Sequence, residues 1–227
     1  MTTLPHLSLS LMLLTTTVFL LAGLVKGVVG LGLPTLAMAL LALAMPPAQA
    51  AAAALLILPS LVTNVWQMRP WPTLAPMTRR LWPMQAGVVA GTLGGAWLLG
   101  APAGAWAMQA LGAALVVYGL WGLSGARVSQ VPAGAERVLG PLVGAVTGLV
   151  TAATGVFVIP AVPYLQALGL TRDELVQAMG LSFTVSTVAL AAGLMLNGQY
   201  SAAALGGSAL MLLPALAGMQ MGQWLRQ

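Results

Sequence analysis

Between Leu7 and Met68 the chain carries a single charged side chain, Lys26. An uninterrupted apolar stretch of that kind cannot form the surface of a soluble domain, where about a quarter of all residues are charged. Over the full 227 residues the charged share is only 5% and the hydrophobic share 59%, with a mean hydropathy of +0.97. Several apolar runs reach the ~18 residues that read as a membrane span, and turn signals rather than aqueous domains separate them. The expected fold class is therefore an all-α polytopic integral membrane protein.

Composition also excludes several functions. Cysteine is absent, so there is no disulfide framework, thiolate metal site or cysteine nucleophile. The net charge of +5 comes from arginines in short loops between apolar runs, where they orient the chain rather than bind nucleic acid. No histidine or carboxylate pair lies within an expected span, and no Walker-type loop exists. An enzyme is not expected, and neither a cofactor nor a metal is called for. The amino end is apolar like a signal peptide but lacks a basic n-region and a cleavage site, and reads as a retained first helix. The methionines read as gap-fillers and His6 as a lone terminal histidine.

Breaks at Pro, Gly and charged residues delimit helices near 8–32, 48–66, 83–100, 104–124, 138–154, 174–195 and 201–225. Two shorter pieces, near 34–45 and 156–169, read as half-helices, re-entrant pieces or thin crossings. "GLVKG" at 23–27 matches "GAVTG" at 144–148, each followed by a proline, Pro34 or Pro160; "GTLGGAWL" at 91–98 matches "GMQMGQWL" at 218–225. Two matches in the same order imply a duplication, with a first transmembrane repeat at 1–125, a cytoplasmic linker at 126–137 and a second repeat at 138–227. The first copy continues past Trp97 into another helix and the second ends near Trp224, so the second repeat is expected to lack its final helix.

Charge tests the topology. With both short pieces counted as crossings, each full repeat has five and the copies are inverted. Arg69, Arg79, Arg80, Arg127, Arg137, Arg172 and Arg226 then all fall in the cytoplasm, while the amino terminus and the turns at Pro46–Pro47, Gly100–Ala103 and Asn197–Tyr200 fall outside without Lys or Arg. Fusing each short piece to a neighbour gives parallel copies and puts Arg172 and Arg226 outside. The inverted count is the favoured one.

Paired breaks in two copies are the best sequence pointer to a transporter site, because non-helical backbone at mid-membrane depth must be buried in protein or line a wet cavity. The candidates at the breaks are Gly27, Gly30, Gly32 and Pro34 in the first copy, and Thr151, Thr154, Gly155 and Pro160 in the second. The competing account is plain helix packing through small residues spaced four apart, such as Gly23 and Gly27 or Gly144 and Gly148. An ammonium in such a place costs about 2.5–3.5 kcal/mol on insertion scales. With no Asp or Glu in any expected span, Lys26 must snorkel to the interface, bond carbonyls freed by the break or meet an anionic substrate. Thr63 and Asn64 on the third segment, with Gln177 and Ser182 on its counterpart, are candidate donors to an oxyanion; their ordinary fate is to bond their own helix or glue helices together. Trp66, Trp71 and Trp82 read as interfacial anchors, and "TRDE" at 171–174 as a helix start with Thr171 at the N-cap.

On "GLVKGVVGLGLPTLAM", with "GLVTAATGVFVIPAVP" as its second copy and "RRLWPMQAGVVAGTLGGAWLL" between, the chain resembles the TauE/SafE family of bacterial membrane permeases. The resemblance implies a polytopic inner-membrane protein of two related halves that moves sulfite, sulfonates or other small organic anions. The family's glycine-rich break followed by proline falls on Gly27, Gly30, Gly32 and Pro34, and on Gly148, Gly155 and Pro160; Thr151 and Ala153 stand where the family often has further glycines. The expected function is alternating access by a small anion to a mid-membrane site where the two broken helices meet, with the anion and the lipid bilayer as partners. The alternative is a non-transporting scaffold or partner subunit. The oligomeric state, a homo-oligomer included, is left open.

Overall fold

Apolar length sets the elements and glycine sets how they pair. A computed structural model of the chain describes residues 9–44, 49–100, 104–125 and 129–226, and every regular element among them is helical. In order these are α1 (Leu9–Val29), α2 (Leu33–Ala44), α3 (Gln49–Gln67), a 3-10 turn at Trp71–Thr73, α4 (Leu74–Leu99), α5 (Gly104–Leu123), α6 (Ala133–Thr154), α7 (Ala161–Gln166), α8 (Arg172–Leu196) and α9 (Ala202–Arg226). Five helices are individually long and apolar enough to cross a membrane: α1, α5, α6, α8 and α9. The α3 and α4 segments pass the same test as a pair, with an angle of 89° between them. The terminus before Leu9, the Pro46–Pro47 turn, Arg127 and most of the Gly100–Ala103 turn lie outside the described residues.

Three boundaries differ from expectation. The fourth helix begins at Leu74 rather than 83, because Pro76 falls in its first turn, where a missing N–H costs nothing, and Pro83 is carried inside the helix. The sixth begins at Ala133 behind Pro132, with Glu136 in its first turn complementing the helix dipole. Within 156–169 only Ala161–Gln166 is helical. Val156, Val158 and Ile159 are β-branched and the last precedes a proline, so this stretch stays out of helix.

In lipid the apolar faces of helices gain little from meeting each other, so close packing decides which helices pair. Two glycine-lined contacts dominate. On α1, Gly23 lies against the backbone of Ala215 and Gly27 against that of Met219 and Gly222, while Gly218 and Gly222 of α9 lie against Leu20 and Leu24. On α4, Gly87 and Gly91 meet Pro141 and Ala145, while Gly144 and Gly148 of α6 meet Met84, Val88 and Gly91. A Cβ at any of these glycines would overlap backbone atoms of the facing helix. Rising residue numbers on one helix match rising numbers on the other, so both pairs run parallel. The two repeated sequence motifs therefore pack on each other crosswise, the "GLVKG" of the first half on the "GMQMG" of the second and "GAVTG" on the α4 motif.

Between these pairs, α3 crosses α8 in the opposite sense. Met68 and Pro70 lie by Gln177, Gln67 by Gly180 and Asn64 by Thr187. Along α8 against α4 the sense is the same, from Gln85 by Ser182 to Ala96 by Gly193. The core collects residues from α1, α2, α3, α4, the 156–168 segment and α8, with a few from α5 and α9, and within it the Phe157 and Phe183 ring centroids lie 5.1 Å apart. One end of the bundle gathers the charged groups. There Arg80 forms a bidentate bridge to Glu136 at 2.9 and 2.6 Å and donates to Leu168 O at 2.9 Å, joining α4, α6 and the turn after α7. Thr171 caps α8 reciprocally with Glu174, as its sequence predicts.

Candidate functional site

Lys26 is in the last turn of α1, facing inward at 2% exposure. The helix is not broken at the lysine, contrary to the sequence expectation; the break comes one turn later. Gly30 N still donates to Lys26 O at 2.8 Å, and the chain then turns through Gly30 and Gly32 at φ of 84° and 117°. Only glycine enters that region without strain. Pro34 follows within the first turn of α2, where its lack of an N–H is harmless. The second break behaves likewise. "GAVTG" is unbroken helix, Gly155 at φ 73° closes α6 by donating to Thr151 O at 2.8 Å, and Pro160 precedes α7.

Among the described residues the ammonium is met by an amide rather than by a carbonyl freed at the break. Lys26 Nζ donates to Asn64 Oδ1, an amide supplied by α3. Asn64 Nδ2 in turn donates to Thr187 Oγ1 at 3.3 Å, and Thr187 Oγ1 donates to Phe183 O at 2.6 Å. A neutral amide dipole thus links α1, α3 and α8 through buried groups. An ammonium has three donors, and among the described residues Asn64 occupies one.

Beside Lys26 is a cavity of about 180 Å³ at the charged end of the bundle, lined by Lys26, Gly27, Gly30, Trp66, Gln67, Arg69, Val176, Met219, Gln223 and Arg226. That is more than ten times the ~10–15 Å³ that one water needs. Among the described residues three cations line it and no carboxylate does. Arg69 lies over the Trp66 ring at 4.1 Å, a cation–π contact that holds the guanidinium at the mouth. Gln67 Nε2 donates to Gly30 O, fixing the break against the end of α3. Chemically, this is a small space roomy enough for water, with ammonium, guanidinium and amide donors and, among the described residues, no competing negative charge, which suits a small oxyanion.

Of the sequence candidates, the cavity collects Lys26, Gly27 and Gly30, and Asn64 reaches it through Lys26. Gly27 also packs against α9, so the packing account holds for it as well. The others are elsewhere. Thr63 donates to Pro59 O at 2.6 Å, Thr151 to Thr147 O at 2.7 Å and Thr154 to Val150 O at 2.7 Å, the ordinary fate of helix hydroxyls. Ser182 accepts from Gln85 Nε2 at 2.8 Å. Gln177 Nε2 ties α8 to the turn after α3 through Met68 O and Pro70 O, both at 2.8 Å. Gly32 faces Val25, while Gly155 packs on Met38 and Ala53.

The expected meeting of the two breaks in one cavity is not found. The first break abuts Gln67 at the end of α3, whereas the second abuts Ala53 near its start, so the two lie at opposite ends of that helix. Sequence reasoning also missed Gln67, Arg69, Gln223 and Arg226, having given the arginines only an orienting role and Trp66 only an anchoring one. The available signal was register: "WQMR" and "GQWLR" each place a glutamine near an arginine beside a tryptophan.

A protein-family model described as "Sulfite exporter TauE/SafE" matches residues 15–227. No curated protein and no solved structure matches the chain.

Proposed function

The chain belongs to the sulfite exporter TauE/SafE family, and from that membership we propose that it is a bacterial inner-membrane permease carrying sulfite, a sulfonate or another small oxidised-sulfur anion by alternating access. The family points to a membrane transporter of sulfur anions. The observation that carries the finer reading is the cavity at the first break, where Lys26, Arg69 and Arg226 converge with no carboxylate among its lining residues. A dry scaffold has no use for a buried ammonium beside a wet space.

Inverted repeats are supported by the sense of the contacts. Equivalent helices of two copies related by an axis in the membrane plane must run oppositely, and α3 and its counterpart α8 do so where they touch. The crosswise α1–α9 and α4–α6 pairs are what such an axis generates. Arg69 and Arg226 line one cavity, which favours the count that puts both in the cytoplasm over the count that separates them. On this reading α2 and the 155–166 segment each return the chain across the bundle, and the arginine-rich end faces the cytoplasm.

Lys26, Arg69 and Arg226 attract and desolvate the anion, Gln67 and Gln223 supply neutral donors, and Trp66 holds the Arg69 guanidinium in place. Flux into proteoliposomes, measured across sulfite, alkylsulfonates, carboxylates and chloride, tests the function. Sulfite or sulfonate flux that falls at least tenfold in Lys26→Met supports it; unchanged flux and preference in that variant would make the lysine structural. No flux for any anion would leave the scaffold reading.

A further inference from the structure

We infer that the bundle contains a second vestibule at the end opposite the basic one, closed in this conformation, through which the same small oxyanion leaves; the inference rests on the transporter reading above. Register locates it. The alignment that pairs Gly91 with Gly218 and Trp97 with Trp224 also pairs the cavity residues Met219 and Gln223 with Thr92 and Ala96. Carried back without a gap, it pairs Trp66 with Gly193, Gln67 with Leu194 and Pro70 with Asn197. Thr92, Ala96, Gly193 and Leu194, counterparts of cavity residues, line one small void together with Gly100, Ala152, Leu190 and Asn197.

That void measures about 10 Å³, against about 180 Å³ for the basic cavity. It is at or below the ~10–15 Å³ that admits a water. Two related places in the duplicated bundle therefore differ in room, one large enough for a small anion and the other not. The closing contacts are specific. A Cβ at Gly193 would lie 2.9 Å from that of Ala96, so α4 and α8 touch there without spare room. Asn197 Nδ2 donates to Ala96 O at 3.1 Å and to Gly193 O at 2.9 Å, tying the end of α8 to α4. Thr92 Oγ1, fully buried on the wall of the void, has no partner among the described residues. A hydroxyl left unpaired at that depth is costly, and it gains a partner once the void admits water or an anion.

The two vestibules differ in charge. In the same registers Lys26, Arg69 and Arg226 have Thr147, Leu196 and Leu99 as counterparts. The exit offers one hydroxyl and one amide where the entrance offers three cations. An oxyanion is thus captured tightly at the basic end and held weakly at the neutral end, so half-saturation is reached at lower concentration from the basic side.

The absence of cysteine makes the test direct. Ala96→Cys with Gly193→Cys places the only two thiols within reach of a disulfide after a small shift, since bonded Cβ atoms sit about 3.5–4.5 Å apart. In proteoliposomes, oxidation is expected to cut alkylsulfonate flux at least tenfold and reduction to restore it, while equilibrium binding of a labelled alkylsulfonate, which unlike sulfite does not cleave disulfides, to the oxidised protein stays within about twofold. Full flux through the cross-linked protein would overturn the exit. Should the pair fold poorly, Thr92→Cys alone serves: its labelling by a membrane-impermeant maleimide from the neutral side is expected to change severalfold on adding an alkylsulfonate, which does not react with the reagent, and an unchanged rate would also overturn it. A wild-type protein that moves no anion would overturn the transporter reading itself, and the exit with it.

Discussion

Replacing Asn64 by leucine should destabilise this protein far more when Lys26 is present than when it is not. Asn64 is 0% exposed and accepts the bond from an ammonium that is 2% exposed. Its nearly isosteric replacement by leucine removes the sole protein acceptor described for that charge. Leaving a buried charge unpaired costs about 3–5 kcal/mol. Here the adjacent 180 Å³ cavity offers room for water beside Lys26, which brings the expected cost down to about 2–3 kcal/mol. Lys26→Met alone leaves Asn64 Oδ1 without its donor, a loss of about 1–3 kcal/mol, offset by no longer burying a charge worth about 2.5–3.5 kcal/mol; it should be close to neutral. The double variant leaves neither group and should also resemble wild type. The coupling energy is then about 2 kcal/mol, larger than the ~0.5 kcal/mol typical of independent sites. Reversible unfolding in mixed micelles, followed by tryptophan fluorescence, measures it. If Asn64→Leu is equally destabilising with and without Lys26→Met, the amide is not the partner of the lysine and the site's geometry is wrong.

Gly148→Ala should lose 1–3 kcal/mol or more, because its methyl would overlap the backbone of Val88 and Thr92, whereas Gly94→Ala, with nothing within 4 Å, should be neutral or stabilising; the midpoint difference between the two in thermal melts is the readout. Arg80→Ala removes a bridge whose arginine is 39% exposed, so a loss of about 1 kcal/mol is expected by the same unfolding assay and a loss above ~3 kcal/mol would contradict the solvent screening assumed. Arg69→Ala and Arg226→Ala should raise half-saturation severalfold from the arginine-rich side and leave saturating flux within twofold, measured in vesicles of defined orientation. Arg69→Cys, Arg172→Cys and Arg226→Cys should all be labelled from the same face by an impermeant thiol reagent; labelling of Arg172→Cys or Arg226→Cys from the other face would sink the inverted topology.

The breaks at Gly30–Gly32 and Gly155–Pro160 were legible because glycine and proline act on their own backbone, and the choice of α2 as a short helix followed from the same punctuation. What failed was depth and company. Lys26 was expected at a break because glycines surround it, yet Gly27 serves the contact with α9 and leaves α1 helical for another turn. Thr63, Thr151 and Thr154, candidates by position alone, each donate to a carbonyl of their own helix, which is the ordinary alternative for helix hydroxyls. The arginines were read by charge alone, and only the folding of α9 back along α1 puts Arg226 within the same cavity as Arg69.

By itself, then, the sequence determined that the chain is helical and membrane-embedded and that glycine and proline interrupt it after α1 and after α6, since apolar length, glycine and proline act within a few residues of themselves. The tertiary structure alone decided that the two halves' motifs pack crosswise, that Lys26 rests on Asn64, thirty-eight positions away, and that the two breaks lie at opposite ends of α3. Those outcomes depend on which helices meet and in which sense. In lipid that is settled by backbone-to-backbone fit at Gly23, Gly87, Gly144 and Gly218, a property of paired surfaces that no single segment contains.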